Sequence, residues 1–195
     1  MALEFTTNLI ADAVSLFRYY KKLADGALAQ VTDEEFFRAL DEESNSIAII
    51  VKHIAGNMRS RWTDFLESDG EKPWRRRDAE FELGAGETRT ASIEQWESAW
   101  RILFAALEPL NETDLSRPVT IRGERHAVMQ AINRQIAHYA YHVGQIVLLA
   151  KHWRGAEWQS LSIPRGGSAA FNRGVQAGTA SRRSATGLPG TPPRR

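Results

Sequence analysis

Apolar residues recur at every third or fourth position along much of the chain, and this spacing predicts amphipathic helices. Four long helices are expected: a first over residues 5–31, a second that follows the polar cluster at 41–46 and ends near Phe65, a third over 92–110 and a fourth over 126–153. Four long helices with one long connection describe an all-α fold, a four-helix bundle, in which inward-facing side chains commonly build metal sites.

Two helix starts are predicted from capping residues. Thr32 precedes three acidic residues and is expected to cap a short helix or turn that carries Phe36 and Phe37 over the core. Ser92 and Gln95 have the spacing of a capping box. The third long helix is therefore expected to begin at Ser92.

The connection between the second and third helices is long. Residues 67–91 contain glycine, proline and many charged residues with little periodicity. Loops of more than about fifteen residues are unusual in compact domains and are often functional or ordered against the body. Trp74 and Phe81 are expected to anchor this loop, and the three arginines at 75–77 are interpreted as a solvated stretch rather than a phosphate site.

Three further segments lie outside the long helices. Residues 119–125 alternate and then turn at Gly123, which predicts a short β-hairpin before the fourth helix. Residues 161–172 are expected to pack on the body as an irregular extension, so that one folded domain covers residues 1–172. Residues 173–195 are rich in glycine, serine, threonine, proline and arginine and are predicted to be a disordered basic tail.

The fourth predicted helix carries the first candidate chemistry. It is apolar or small almost all the way round from Ile136 to Ala150, which indicates burial. Its main polar interruptions, His138, His142 and Gln145, lie at i, i+4 and i+7 and so share one face. Two imidazoles on adjacent turns can bind one ion, although such a pair also arises by chance as satisfied core residues.

A third histidine lies on the flank of the second predicted helix. His53 is placed at the edge of the apolar seam, with Asn57 one turn later. Three neutral imidazole nitrogens leave one position of a tetrahedral zinc ion open, as in catalytic rather than structural sites. The sequence therefore predicts a metal site made by His53, His138 and His142.

Composition and charge limit the function further. The 195 residues are 43% hydrophobic, which is ordinary for a globular domain. They include no cysteine, so any thiol chemistry needs a thiol from outside the chain. After Glu157 the chain has six arginines and no Asp, Glu or Lys, so the net charge of +1 leaves −5 for residues 1–157. Specific nucleic-acid binding is therefore not expected. No membrane span or signal peptide is visible, and a cytoplasmic location is expected.

One histidine on the second helix followed by His-x-x-x-His on the fourth resembles the DinB/YfiT-like superfamily of metal-binding four-helix bundles. The sequence around these histidines is similar to a bacterial branch of that superfamily, and the resemblance covers about residues 5–172. The similar strings are HIAGNMRSRW at 53–62, SDGEKPW at 68–74, HYAYHVGQI at 138–146 and SIPRG at 162–166.

The resemblance implies an up-down-down-up bundle, often dimeric, that binds a divalent metal such as zinc or nickel through His53, His138 and His142. Some members are transferases or isomerases that use low-molecular-weight thiols such as bacillithiol, mycothiol or glutathione, and others have been assigned as hydrolases. We expect a metal-dependent enzyme that acts on a small molecule as a homodimer, in the first place a thiol-dependent S-transferase. A hydrolase that uses metal-bound water and a non-enzymatic, stress-associated metal-binding bundle are the alternatives.

Polar residues near the predicted triad are expected to orient the histidines or a substrate. These residues are Asn57, Gln145 and Arg134. Arg59 and Arg61 are also candidates for contact with an anionic substrate, but surface salt bridges are their expected role.

Overall fold

The computed structural model describes residues 9–180, and this part of the chain is mostly helical with one small β-hairpin. Four of its helices have sixteen or more residues. The elements are α1 (Leu9–Leu28), α2 (Asp33–Phe37), α3 (Ile47–Trp62), α4 (Arg89–Leu107), β1 (Pro118–Ile121), β2 (Glu124–Ala127), α5 (Val128–Arg154) and α6 (Ser168–Gln176).

The predicted cap at Thr32 is confirmed. Its hydroxyl accepts from the Glu35 backbone N–H, and the Glu35 carboxylate accepts from the Thr32 N–H, so α2 begins with a capping box. Phe36 is fully buried, whereas Phe37 is only partly buried against the core. The predicted start of the first helix, at residues 5–8, lies outside the described residues.

The predicted start of the third long helix at Ser92 is wrong. Thr88 is the N-cap, because its hydroxyl accepts from the Ala91 backbone N–H, and α4 begins at Arg89. Ser92 lies inside the helix, where its hydroxyl donates to the Thr88 carbonyl 3.1 Å away. Arg89 also donates to the carbonyl of Leu28, which ties the start of α4 to the end of α1.

The predicted hairpin is confirmed, and it is attached to the long connection after α3. β1 and β2 pair antiparallel. The backbone N–H groups of Arg122 and Gly123 in the turn both donate to the carboxylate of Asp69, each at 2.8 Å. The Gly70 N–H donates to the Thr120 carbonyl at 2.8 Å. The first part of the connection is therefore ordered by the hairpin.

The C-terminal segment differs from its predicted irregular form. Residues 161–167 have no regular structure, but Ser168 begins helix α6, which continues past the predicted boundary at residue 172 as far as Gln176. Of the predicted disordered tail, residues 181–195 lie outside the described part of the chain.

Aromatic side chains from all four long helices meet in the core. Phe17 of α1 lies with its ring centroid 6.2 Å from that of Trp62 in α3 and 5.7 Å from that of Tyr139 in α5. Trp100 of α4 lies 6.1 Å from Tyr139. Each of these rings is at most 2% exposed. Each long helix therefore contributes at least one buried aromatic ring to a single cluster in the core.

Tyr139 also makes the polar contact that joins α5 to α3. Its hydroxyl accepts from the Trp62 indole N–H at 3.1 Å and donates to the Asn57 side-chain oxygen at 3.0 Å. Because a buried phenol needs partners for its hydroxyl, this contact favours one rotation of α5 relative to α3. None of the helices between residues 9 and 180 combines the length and apolarity needed to cross a membrane.

We expect Tyr139→Phe to lower the free energy of unfolding by about 1–3 kcal/mol, because it leaves the buried indole N–H of Trp62 without an acceptor. Urea denaturation followed by circular dichroism measures the change. Tyr141→Phe is the matched control, since Tyr141 is 55% exposed on the same helix, and it should cost less than about 0.5 kcal/mol. Equal effects of the two substitutions would contradict this role for Tyr139.

Candidate metal centre

The three histidines predicted from the sequence are brought together in the structure. His53 lies on α3, and His138 and His142 lie on successive turns of α5. One ring nitrogen from each histidine can be chosen so that all three atoms lie within 4.8 Å of one another. His53 and His142 are each 5% exposed and His138 is partly buried. These residues could hold a metal ion.

Each histidine makes a hydrogen bond through its Nδ1 atom to a side-chain oxygen outside the cluster. The partner of His53 is a carboxylate, which can only accept, so His53 Nδ1 carries the proton. The two amide oxygens on α5 assign the same tautomer to His138 and His142. The contacts are His53 to Glu80 at 2.9 Å, His138 to Gln135 at 3.4 Å and His142 to Gln145 at 2.8 Å.

In the neutral tautomers that carry the proton on Nδ1, the Nε2 atoms hold the free lone pairs, and their placement fits a cation. His53 Nε2 and His138 Nε2 are 3.3 Å apart, and two lone pairs at this separation repel unless a cation lies between them. Zinc–nitrogen distances of 2.0–2.1 Å in a tetrahedral site imply nitrogen atoms roughly 3.3–3.4 Å apart. The Nε2 atom of His142 is buried and has no hydrogen-bond partner within residues 9–180.

The electrostatics keep two of the imidazoles neutral. Burial, followed by the neighbouring His142 and His53, lowers the pKa of His138 to about 3. Burial likewise lowers the pKa of His142 to about 4, although the hydrogen bond with Gln145 opposes it. Both side chains are therefore neutral at pH 7, which is the form that binds a metal ion.

Glu80, which orients His53, was not identified from the sequence. It lies in a short 3₁₀ turn (Asp78–Phe81) of the long connection, where no periodicity marks a buried position. Burial acts to raise the pKa of its carboxyl, but hydrogen bonds with Arg75 and then His53 outweigh burial and hold the pKa below its usual range. Gly56 makes room for Glu80, because a Cβ there would collide with Oε1.

The interpretation of arginines 75–77 as a solvated stretch is wrong for Arg75. Its guanidinium group donates to both carboxylate oxygens of Glu80 at 2.8 Å, and its side chain is only 3% exposed. Arg76 and Arg77 are exposed, as predicted. The burial of Arg75 could not be predicted from the sequence, because its partner Glu80 lies in an aperiodic segment.

The two aromatic residues expected to anchor the loop behave differently. The ring of Phe81 lies 4.8 Å from that of His53, so Phe81 packs directly on the site. Trp74 is 48% exposed and lies beneath the guanidinium group of Arg59, 4.7 Å from the ring centroid. The salt bridge expected for Arg59 is absent from the described residues, and a cation–π contact takes its place.

A cavity of about 390 Å³ opens beside the histidines. The three polar residues predicted to orient the histidines or a substrate all line it. Asn57 accepts from Tyr139, Gln145 accepts from His142 Nδ1, and Arg134 is exposed at the cavity. A second cavity of about 300 Å³ lies on the Arg59 side of Glu80 and contacts none of the histidines.

Fold and site together define a mostly helical protein with a histidine cluster able to hold a metal ion. A family model described as a protein of unknown function, DUF1572, matches residues 4–167. The chain belongs to this family, and the match includes all three histidines. No curated protein and no solved structure shows a significant match to the chain.

We expect Arg75→Met to lower the free energy of unfolding by about 3 kcal/mol, because it leaves the buried carboxylate of Glu80 without its guanidinium partner. Urea denaturation at neutral pH measures the change. Arg76→Met removes an exposed arginine from the next position and should change stability by less than about 0.5 kcal/mol. If both variants were equally stable, the Arg75–Glu80 pair would not be what holds the loop on His53.

Proposed function

We propose that the protein is a metal-dependent enzyme of the DinB/YfiT-like superfamily, in the first place a thiol-dependent S-transferase, with the long helices arranged as an up-down-down-up four-helix bundle. The four long helices, the order of the histidines and the DUF1572 match support this proposal. The family alone does not define a reaction, so the argument for chemistry depends on the site.

One observation carries the proposal. The Nδ1 atom of each histidine is hydrogen-bonded to a side-chain oxygen outside the cluster, so that its Nε2 atom is available to an ion. Partners of this kind fix the tautomer and the ring orientation of metal-binding histidines, and their loss typically weakens metal binding by about 10–100-fold. A cluster of core histidines without a metal gains nothing from placing Nε2 atoms close together. The donor set of three nitrogens suits zinc or nickel.

A divalent ion in such a site supplies Lewis acidity that lowers the pKa of a thiol or of water and makes it nucleophilic at neutral pH. No carboxylate lines the cavity among the described residues, so the chain offers no obvious general base there. A free thiol has a pKa near 8.5, far below that of free water, and so needs less help from the metal or from a base to become a nucleophile. This difference favours a thiol nucleophile over hydrolysis.

Side chains around the cavity have orienting roles in this proposal. Glu80 and Gln145 keep the protons of His53 and His142 on Nδ1. The oxygen of Asn57 is occupied by Tyr139, which leaves its NH₂ group as the donor available to a substrate. Arg134 supplies a positive charge at the same cavity.

The homodimer implied by the superfamily resemblance stays a prediction. Two large apolar side chains of α5, Tyr141 and Leu148, are 55% and 65% exposed. A second copy of the chain that covered this face would bury both of them.

Protein purified without a histidine tag, from cells supplied with zinc and nickel, should contain about one equivalent of metal per chain. His142→Ala removes one of three ligands and should reduce the metal content to below about a tenth of an equivalent, with circular dichroism showing a retained helical fold. His152→Ala is the matched control, because His152 is exposed near the end of α5, and its metal content should not change.

Two outcomes would contradict the site. Wild-type protein with less than about a tenth of an equivalent would remove the basis for all of the proposed metal chemistry. Unchanged metal content in a folded His142→Ala variant would show that the ion binds elsewhere.

The choice of nucleophile is tested with cobalt-substituted protein titrated with bacillithiol, mycothiol and glutathione. A thiol-dependent enzyme should show a new sulfur-to-cobalt charge-transfer band that saturates with one of these thiols, since a site with three nitrogen ligands leaves a position open. His142→Ala should show no such band. Absence of any spectral change at millimolar thiol would overturn the transferase assignment and favour the hydrolase or the non-enzymatic bundle.

A further inference from the structure

The cavity beside the histidines is strongly cationic. Five arginines line it, and no aspartate or glutamate lines it among the described residues. These arginines are Arg61, Arg75, Arg77, Arg122 and Arg134. Like charges gathered around a cavity of about 390 Å³ raise the potential inside it and favour an anion there.

Three of the five arginines are already paired with carboxylates outside the cavity lining. Each of the three has an oxygen of its partner within 3.3 Å. The pairs are Arg75 with Glu80, Arg77 with Asp78, and Arg122 with Glu71. Arg61 and Arg134 have no carboxylate partner within residues 9–180, so the positive charge of the cavity that remains uncompensated belongs to them.

Arg61 is the more unusual of the two. It is only 3% exposed, and its Nε and Nη1 atoms have no hydrogen-bond partner within the described residues. The surface salt bridge expected for it from the sequence is therefore wrong. A guanidinium group that is shielded from water and has no ion-pair partner within residues 9–180 is costly, and native proteins rarely leave one in this state.

The position of Arg61 is set by the protein around it. Gly70 allows its close approach, because a Cβ at residue 70 would lie 2.5 Å from Nη1. Burial is the main cause that lowers the pKa of Arg61, and the charges of Arg134 and Arg75 add to it while Glu71 opposes it. Arginine remains charged at neutral pH even so, since its ordinary pKa lies far above 7.

We propose that this cavity binds an oxyanion group, a carboxylate or a phosphate, of the substrate through Arg61 and Arg134. A guanidinium group matches the planar fork of a carboxylate or two oxygens of a phosphate. The oxyanion would be the direct ion-pair partner that Arg61 lacks within residues 9–180, and it would hold the substrate beside the histidine cluster. The assignment of the cavity as a substrate site rests on the proposed enzymatic function. Binding of an anion to the two arginines does not itself require a metal.

The test uses the full chain freed of metal with a chelator, at constant ionic strength balanced with chloride. Isothermal titration calorimetry with inorganic phosphate, and separately with acetate and succinate, should show saturable binding of at least one class at about one site per chain. The class that binds more tightly identifies the oxyanion. Arg61→Gln and Arg134→Gln should each weaken this binding at least about tenfold, because each removes a charged hydrogen-bond donor.

Arg59→Gln is the matched control, since Arg59 lies on the same helix but lines the neighbouring cavity. Its anion affinity should equal that of the wild type. Arg134 is exposed, so its variant tests the site even if the substitution of buried Arg61 disturbs folding.

Three outcomes would overturn the proposal. One is no saturable binding of phosphate, acetate or succinate up to millimolar concentrations, and another is an equal loss in the Arg59 variant, which would indicate general charge attraction. The third is full affinity in folded Arg61→Gln and Arg134→Gln. Because the titration contains no metal, each of these results is separate from a failure of the metal-content experiment, and loss of the metal site would leave the anion result intact.

Discussion

The site depends on one buried hydrogen-bonded contact, the hydroxyl group of Tyr139 held between the indole N–H of Trp62 and the amide oxygen of Asn57. A helix packed only by apolar contacts can rotate or slide at modest cost in free energy. Rotation of α5 would instead leave the buried hydroxyl of Tyr139 without its partners, which costs much more. Tyr139 lies between His138 and His142 in the sequence, and Asn57 is one turn after His53. The contact that fixes α5 on α3 therefore also brings the three imidazoles together.

A second constraint comes from the long connection between α3 and α4. The connection returns to α3 so that Glu80 reaches His53, and Arg75 holds Glu80 there with two hydrogen bonds. On α5, the side-chain oxygens of Gln135 and Gln145, each three residues from its histidine, accept from the Nδ1 atoms of His138 and His142. Helix geometry alone thus sets the tautomers of His138 and His142, whereas the tautomer of His53 requires a segment far away in sequence.

The parts predicted correctly from the sequence are those governed by local rules. Periodicity predicted the long helices, Thr32 followed by three acidic residues predicted the start of α2, and the His-x-x-x-His spacing predicted two of the three clustered histidines. The predicted start of α4 was wrong because two hydroxyl residues four positions apart, Thr88 and Ser92, can each cap a helix. Thr88 is the cap, since its hydroxyl accepts from the backbone N–H of Ala91. Glu80 and Arg75 were missed because their burial comes from tertiary contacts. For Arg61 a local signal existed, since it follows Asn57 by one turn on the face that carries His53.

The cavity makes two opposite electrostatic demands. The lone pairs of His53 Nε2 and His138 Nε2, 3.3 Å apart, favour a cation. The guanidinium group of Arg61, which has no ion-pair partner in the described part of the chain, favours an anion. A divalent ion bound alone is repelled by the positive charges of Arg61 and Arg134. An anion bound alone is repelled by the lone pairs of the histidines. Bound together, each removes the repulsion that the other meets, and linkage then requires that each raises the affinity of the other by the same factor. A protein that only stored metal would have no use for Arg61 and Arg134, which have no carboxylate partner within residues 9–180. Their charges therefore support the proposed site, where an anionic reactant and an ion meet.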